Sequence, residues 1–379
     1  MVSMPSIHFY RWVNQLKDTK HEIYWFDITG SGVKPKSIDW VTQITNWKLR
    51  SDFIGRTFIK KRIPYLYNKI QQINERDLAL SFEEELQKIK PDVVHSFALY
   101  VSCAPIIDVM EKYSKLKWIY SSWGSDLFHF QNEPSYLKDI KKVLPRVDYM
   151  FSDCKRDAKI AEQYGFKGKL LGVFPGGGGY SVSEIEHKLY SFEERNVLLI
   201  KGYQGRSGRA IQVLEAINKL RDQLGNYTII VFGADTEVIH FVNRKKLTEW
   251  RNLKVYKKMK HGLILELMGK SFVYIGNSVS DGIPNTLLEA IIMGAFPIQS
   301  NPGEVTAEII EHGKNGLLIS DPENIDEISN HIIHAIDNPE IIKNAMTFNK
   351  EISQTITFDK IQKEVLEAYK KVENDLDLC

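Results

Sequence analysis

The carboxylates of Asp281 and Glu289 stand eight positions apart in Ser278–Ser300, a run that passes from loop to helix to strand. Pro284 suits the first turn of a helix, where a missing N–H costs nothing. Leu287, Leu288, Ile291 and Ile292 repeat at helical spacing, Gly294 is placed to end the helix, and Phe296–Ile298 has the apolar character of a buried strand. Asn285 and Glu289 are four apart and share a helix face. Asp281 falls just ahead of the helix N-terminus, where free N–H groups and the helix dipole favour an anion. Two carboxylates beside a phosphate site make chemical sense when the ligand also carries hydroxyls that donate to them. A nucleotide sugar carries both kinds of group.

A second segment complements the first. Gly202–Arg209 (GYQGRSGR) follows the apolar run Val197–Ile200 and precedes the amphipathic stretch Ala210–Leu220. Gly202, Gly205 and Gly208 let the backbone approach a ligand closely. Arg206 and Arg209 carry guanidinium groups, which bind phosphate oxygens as a bidentate fork. Alone, such a loop also reads as a surface turn with solvated arginines; paired with Asp281–Glu289, it reads as a diphosphate cradle. It lacks the Gly-x-Gly-x-x-Gly order of a dinucleotide loop. The run Gly176–Gly179 is not followed by Gly-Lys-Ser/Thr, so a nucleotide-triphosphate loop is disfavoured there as well.

The elements that must hold these loops alternate along the chain. Strands are expected at His21–Ile28, Asp92–Phe97, Trp118–Ser122, Tyr149–Ser152 and Lys169–Phe174. In the second half they fall at Val197–Ile200, Thr228–Phe232, Leu253–Tyr256, Phe272–Ile275, Phe296–Ile298 and Gly316–Ile319. Helices such as Arg76–Ile89 and Lys155–Tyr164 lie between them. Repeated βα order implies parallel sheets covered on both faces, with ligands beyond the carboxyl ends of the strands. The polar stretch Pro175–Glu194 interrupts the rhythm. The expected division is therefore 1–177, a linker 178–194, and 195–357, followed by a tail, 358–379, that is helical by pattern. Met1–Phe9 reads as the end of a strand entering a helix.

Composition sets outer limits. The chain has 379 residues, 43% hydrophobic and 26% charged, with a formal net charge of +2, which argues against bulk nucleic-acid binding. Its three cysteines show no metal spacing and are too few for a disulfide framework, so a reducing cytoplasm is expected. No apolar run approaches the roughly 20 residues that span a bilayer, and no secretory signal is evident.

The second half resembles the retaining GT-B glycosyltransferases of family 4, the glycosyl transferases group 1. Their mark is an acidic residue, seven intervening residues and a glutamate followed by Ala and a Gly-to-Pro turn, matched here by Asp281, Glu289-Ala290 and Gly294-Ala-Phe-Pro297. Gly202–Arg209 corresponds to their earlier Gly–Arg/Lys loop. The first half is a weaker match, mostly in its alternation and in Pro91-Asp-Val-Val-His95. The resemblance implies an α/β fold of two facing Rossmann-like domains, with the C-terminal helix 358–379 rejoining the first. It implies transfer of a glycosyl group from a UDP- or GDP-sugar co-substrate with retained configuration, with no metal and no further cofactor. Glu289 would accept from the ribose hydroxyls and Asp281 would contact the donor sugar. The backbone of Gly282, Ile283, Pro284, Asn285 and Thr286 would hold sugar and phosphate. Gly202 and Gly205 would line the loop, and Arg206 and Arg209 would neutralise the departing diphosphate. The chain departs from the pattern in three places. Asp281 is one methylene shorter than the usual Glu, Tyr203 follows Gly202 where Arg is common, and the Gly-to-Pro turn is one residue longer.

The first half would take the acceptor, a glycan or lipid-linked glycan of bacterial surface polysaccharide. Trp123, Gly124, Ser125 and Asp126 follow a strand, and Asp126 and His129 can bind hydroxyls while Trp123 stacks on a sugar. The competing reading has Asp126 capping the next helix and Trp123 in the core. His95 also ends a strand, where a buried, satisfied histidine is an equal alternative. Ser6 and His8 stand at the first loop as phosphate or acceptor ligands. Lys257, Lys258, Lys260 and His261 either border the nucleotide base or form a solvated loop. Trp47–Lys69 mixes Lys48, Arg50, Arg56, Lys60, Lys61, Arg62 and Lys69 with Trp47, Phe53, Phe58, Ile59, Tyr65 and Tyr67, against one acid, Asp52. Its readings are a solvated face with core aromatics, peripheral contact with an anionic membrane on the cytoplasmic side, or single-stranded nucleic acid. Two other functional classes share the same motifs: a nucleotide-sugar epimerase on this fold, and a non-catalytic partner subunit that retains the donor pocket.

Overall fold

The computed structural model describes residues 1–51, 55–182 and 189–377. The chain divides into two compact units. One comprises Met1–Ser152, Ala158–Val173 and Val365–Cys379, and the other Asp153–Asp157 and Phe174–Glu364. Each is built on one parallel sheet.

The first unit holds β1 (Val2–Ser3), β2 (Tyr24–Asp27), β3 (Thr42–Ile44), β4 (Val93–Phe97), β5 (Lys117–Ser121), β6 (Tyr149–Ser152) and β7 (Lys169–Val173), in the order β3-β2-β1-β4-β5-β6-β7. Every pairing is parallel. β3 carries no apolar run, and it pairs only at the sheet edge. Two residues of strand at Val2–Ser3, both fully buried, confirm the expectation of a strand entering a helix. The C-terminal helix Phe358–Asp377 brings Tyr369 onto this sheet, where its hydroxyl meets the Nδ1 of His95 at 2.7 Å.

The second unit holds β8 (Val197–Lys201), β9 (Thr228–Phe232), β10 (Leu253–Tyr256), β11 (Ser271–Gly276), β12 (Phe296–Ser300) and β13 (Leu317–Ile319), in the order β10-β9-β8-β11-β12-β13. All of its pairings are parallel as well. Side chains alternate across the sheet. Leu198 and Ile200 join Val273 and Ile275 in one core layer, and Val197 and Leu199 join Tyr274 and Leu287 in the other. A buried cation locks this second layer. Arg195 donates to the carbonyls of Ser271 (3.1 Å), Met293 (3.0 Å) and Tyr190 (3.1 Å), and burial lowers its pKa to about 10.

In both sheets the strand order reverses once, between β1 and β4 and between β8 and β11. Ligand crevices of open parallel sheets form at that point, outside the carboxyl strand ends. The loops after β8 and β11 are the two chemistry-bearing segments of the sequence. Pro175–Glu194 contributes no strand among its described residues; Gly179 takes φ +88°, and a Cβ there would stand 2.9 Å from the Phe358 backbone. That close approach lets Tyr180 exchange backbone bonds with Ile356 and Phe358, at 3.0 and 2.9 Å.

Candidate functional site

The two loops of the second unit are stitched together. Val279 and Ser280 donate their backbone N–H groups to the carbonyl of Arg206 at 3.2 and 3.3 Å, and Arg209 donates to that of Asn277 at 2.8 Å. The helix after the second loop spans Asn285–Ile292, with Pro284 at its cap, one position ahead of the first turn. Each polar side chain of this helix is gripped by a different element. Asn285 Oδ1 accepts from Tyr180 OH at 2.6 Å, Thr286 Oγ1 from Tyr274 OH at 2.8 Å, and Glu289 Oε1 meets His261 Nε2 at 2.8 Å. Glu289 is 6% exposed, whereas the His261 side chain is half-exposed at the first position of helix His261–Lys270. Lys257, Lys258 and Lys260, just ahead of it, are exposed.

Asp281 sits in the loop itself. Its Oδ1 accepts from Gly282 N at 3.0 Å, its carbonyl accepts from Arg156 Nη2 at 2.8 Å, and its Oδ2 lies 3.6 Å from Lys201 Nζ. Gly282 has a steric cause: a Cβ there would stand 2.2 Å from Asp153 Oδ2. Asp153, Cys154 and Asp157 bring one potential ligand atom each within 4.8 Å of one another, all buried, and Asp157 is paired with Arg156 at 2.7 Å.

The cations differ from the sequence expectation. Arg206 is exposed. The Arg209 guanidinium is folded onto its own loop, donating to the carbonyls of Gly205 and Gly208 and pairing with Glu323. Sequence reasoning overlooked Lys201, the last residue of β8, which is 7% exposed and whose Nζ stands 4.9 Å above the Tyr203 ring. The signal was present: an apolar strand, Val197–Ile200, runs straight into a lysine before the glycine loop. Burial, with the nearby charges of Asp235, Asp281 and Glu289, raises the pKa of Tyr203, so this phenol lies among the site carboxylates.

In the first unit the predicted acceptor residues separate into two groups. His8 and Trp123 come together, ring centroids 5.9 Å apart, with Trp123 half-buried against Phe97 at 5.1 Å. Gly124 lies in the same turn at φ +58°. Ser6 caps the helix Ile7–Asn14, accepting from Phe9 N at 3.2 Å. His129 is partly exposed, edge-on to Phe130, and Ser125 is buried. Asp126 is 2% exposed and works as a strut: its Oδ2 accepts from Leu99 N at 2.7 Å and from Tyr120 OH at 2.5 Å. It thereby secures the turn after β4, where Ala98 takes φ +65°. It does not cap the helix that follows it. His95 is 3% exposed, bonded to Tyr369 OH and, at 2.8 Å, to Ser121 Oγ. Burial depresses its pKa well below the usual value, so it is a neutral core histidine.

In the Trp47–Lys69 stretch, residues 52–54, including Phe53, lie outside the described residues. Trp47 is in the core, stacked on Phe26 at 5.1 Å, as one reading expected. The helices Arg56–Arg62 and Pro64–Asn74 depart from that reading. They expose Phe58 (64%), Tyr65 (72%), Leu66 (42%) and Ile73 (77%) among their lysines and arginines. Among the described residues no helix is long and apolar enough to cross a membrane.

Residues 181–355 match the family described as "Glycosyl transferases group 1", and residues 1–153 match "Glycosyl transferase 4-like". The chain belongs to the group 1 glycosyltransferases and has their two-domain α/β GT-B architecture. No curated protein matches it significantly in sequence alone. Among solved structures it is similar to sucrose-phosphate synthase from Thermosynechococcus elongatus (TM-score 0.69, 13% identity, 99% of each chain covered). It is also similar to a glycosyltransferase from Rickettsia africae (0.68, 14%, 98% of this chain and 97% of that one). A third is Anabaena HepE, solved with UDP and glucose (0.67, 12%, 97% and 98%). At these identities the likeness is one of fold.

Proposed function

We propose that this glycosyltransferase moves a sugar, with retained configuration and without a metal, from a UDP- or GDP-sugar to a glycan or lipid-linked acceptor of bacterial surface polysaccharide. The observation that carries the donor site is the stitching of Gly202–Arg209 to Ser278–Asn285 at the point where the second sheet reverses. It holds the two loops side by side at the N-terminus of the helix Asn285–Ile292, with Asp281 3.6 Å from Lys201. Glu289, with one oxygen on His261, offers its carboxylate to the ribose hydroxyls, and Asp281 addresses the sugar. The backbone of Gly282–Thr286 holds sugar and phosphate at the helix N-terminus. Arg206 faces the leaving diphosphate, and Arg209 stiffens the loop beneath it. As the glycosidic bond to phosphate breaks, negative charge grows on the phosphate. Fixed cations and N–H groups stabilise it there without reorganising. HepE, a neighbour in fold, was solved with UDP and glucose, which suits this reading.

Acceptor recognition is assigned to Ser6, His8, Trp123, Gly124, Ser125 and His129, with Asp126 and His95 shaping the strand ends beneath. The exposed aromatics of Arg56–Asn74, interleaved with lysines and arginines, suit peripheral contact with an anionic bilayer where a lipid-linked acceptor resides. Co-sedimentation with phosphatidylglycerol vesicles, lost in a Phe58→Ser/Tyr65→Ser/Lys61→Ser variant, tests that contact.

The deciding experiment offers UDP- and GDP-sugars with candidate acceptors and follows nucleotide release and product. Transfer that needs acceptor and survives chelation supports the proposal. Free nucleotide with an altered sugar and no acceptor requirement identifies an epimerase. Nucleotide binding without turnover on any acceptor identifies a non-catalytic subunit. Arg206→Ala lowers kcat by about a hundredfold with the fold intact.

A further inference from the structure

Lysines are almost never buried without a partner, because an ammonium removed from water must recover its lost solvation. Lys201 is buried at 7% exposure, and among the described residues it makes no hydrogen bond. Its contacts are the Asp281 carboxylate at 3.6 Å, beyond hydrogen-bond reach, and the face of Tyr203 at 4.9 Å. Three N–H donors thus stay open in a place that excludes most water. Their position follows from the strand. Val197, Leu199 and Lys201 alternate onto one face of β8, and the first two pack in the layer that contains Tyr274 and Leu287. Lys201, at the carboxyl end of that row, emerges beside Asp281. Of the two arginines in the loop after β8, Arg206 is exposed and Arg209 spends its guanidinium on Gly205, Gly208 and Glu323.

We infer that Lys201 is an anion-binding residue of this site: its ammonium takes the outer phosphate of the nucleoside diphosphate, with the Tyr203 ring as its backing and Asp281 as its resting counter-charge. The inference rests on the donor-site reading above and adds a residue that the sequence motifs do not mark. Two consequences distinguish it from a structural role. A buried charge kept for a ligand does not serve stability, and replacing such a charge by an apolar group of similar shape is neutral or stabilising. An ion that meets the outer phosphate also matters for a diphosphate and not for a monophosphate.

The test is Lys201→Met, with Lys201→Arg beside it, in the full chain. Thermal melting is measured first, then the affinities for UDP, UMP, GDP and GMP. The expected result is a melting temperature at or above that of the wild type. The preference for diphosphate over monophosphate should fall at least about tenfold in Lys201→Met and be largely kept in Lys201→Arg. The inference is overturned if Lys201→Met unfolds or melts well below the wild type, because the lysine is then structural. It is overturned equally if the preference survives, or if monophosphate and diphosphate weaken together, because the lysine then only positions Asp281. If the wild type binds no nucleotide while Lys201→Met is stable, the reading of the donor site fails, a result distinct from these.

Discussion

The strand ends of the two sheets carry buried polar groups of similar kinds but opposite condition. Around β4 and β5, Asp126 takes two donors from Leu99 and Tyr120, and His95 is bonded through both ring nitrogens. Around β8 and β11, Lys201 has no hydrogen bond among the described residues, and Glu289 shares one oxygen with a half-exposed histidine. Closed polar groups at a strand end hold the backbone in place. Open ones are held in place by the backbone and keep bonding capacity that a ligand can take. A polar residue after a strand therefore reads as structural when its bonds fix the backbone beside it, as those of Asp126 fix Leu99.

The contrast can be broken from either side. The largest effect is expected from Asp126→Ala, which orphans a backbone N–H and a phenol in the core. It should destabilise the protein by about 2–4 kcal/mol, lowering Tm by several degrees, with nucleotide affinity unchanged. A normal melting curve with lost acceptor use would return Asp126 to acceptor binding. Glu289→Ala should do the reverse: Tm nearly unchanged, and donor kcat/KM down by roughly 10- to 100-fold, as for one lost hydrogen bond to a charged group. Full activity in that variant would remove the site assignment.

His95 supplies a test in pH. Burial holds its folded-state pKa well below the ordinary value, so at mildly acidic pH the unfolded chain binds a proton that the folded chain does not. Stability is therefore lost as pH falls below about 6.5, at up to about 1.4 kcal/mol per pH unit, and is unaffected above it. His95→Phe, stacked between Phe97 and Phe151, should cost about 1–3 kcal/mol at pH 7 and flatten that acid slope. An unchanged slope, measured by urea unfolding at pH 5 and pH 7, would show that His95 is not the group responsible. The smallest effect belongs to His261→Ala. Its half-exposed bond to Glu289 is worth less than about 1 kcal/mol, so donor KM should rise by no more than about fivefold and recover in His261→Gln. A loss of kcat at constant KM would instead mark His261 as acting in the chemical step.

Much of this was legible in one dimension. Strands β6 and β9 have the bounds their apolar runs predict, because a strand buried on both faces must be apolar along its length. β3 escaped because an edge strand needs no such run. Asp281, Glu289 and the glycine loop were recognisable because their spacing alone fixes a helix face and a close backbone approach. The basic, aromatic helices Arg56–Asn74 were ambiguous because composition does not say which side of a helix meets the core.

The sequence by itself determined the alternation of strand and helix, the two loops that hold the candidate residues, and the spacing that sets Asp281 ahead of a helix and Glu289 on it. These follow from local periodicity and backbone geometry. Only the tertiary structure decided which charges remain available. Arg209 is occupied by Glu323, more than a hundred residues away in the chain, His95 by Tyr369, and Asp126 by Leu99, whereas Lys201 is left open. Whether a donor or acceptor is spent depends on partners that folding brings from distant positions, and no spacing within a motif encodes them.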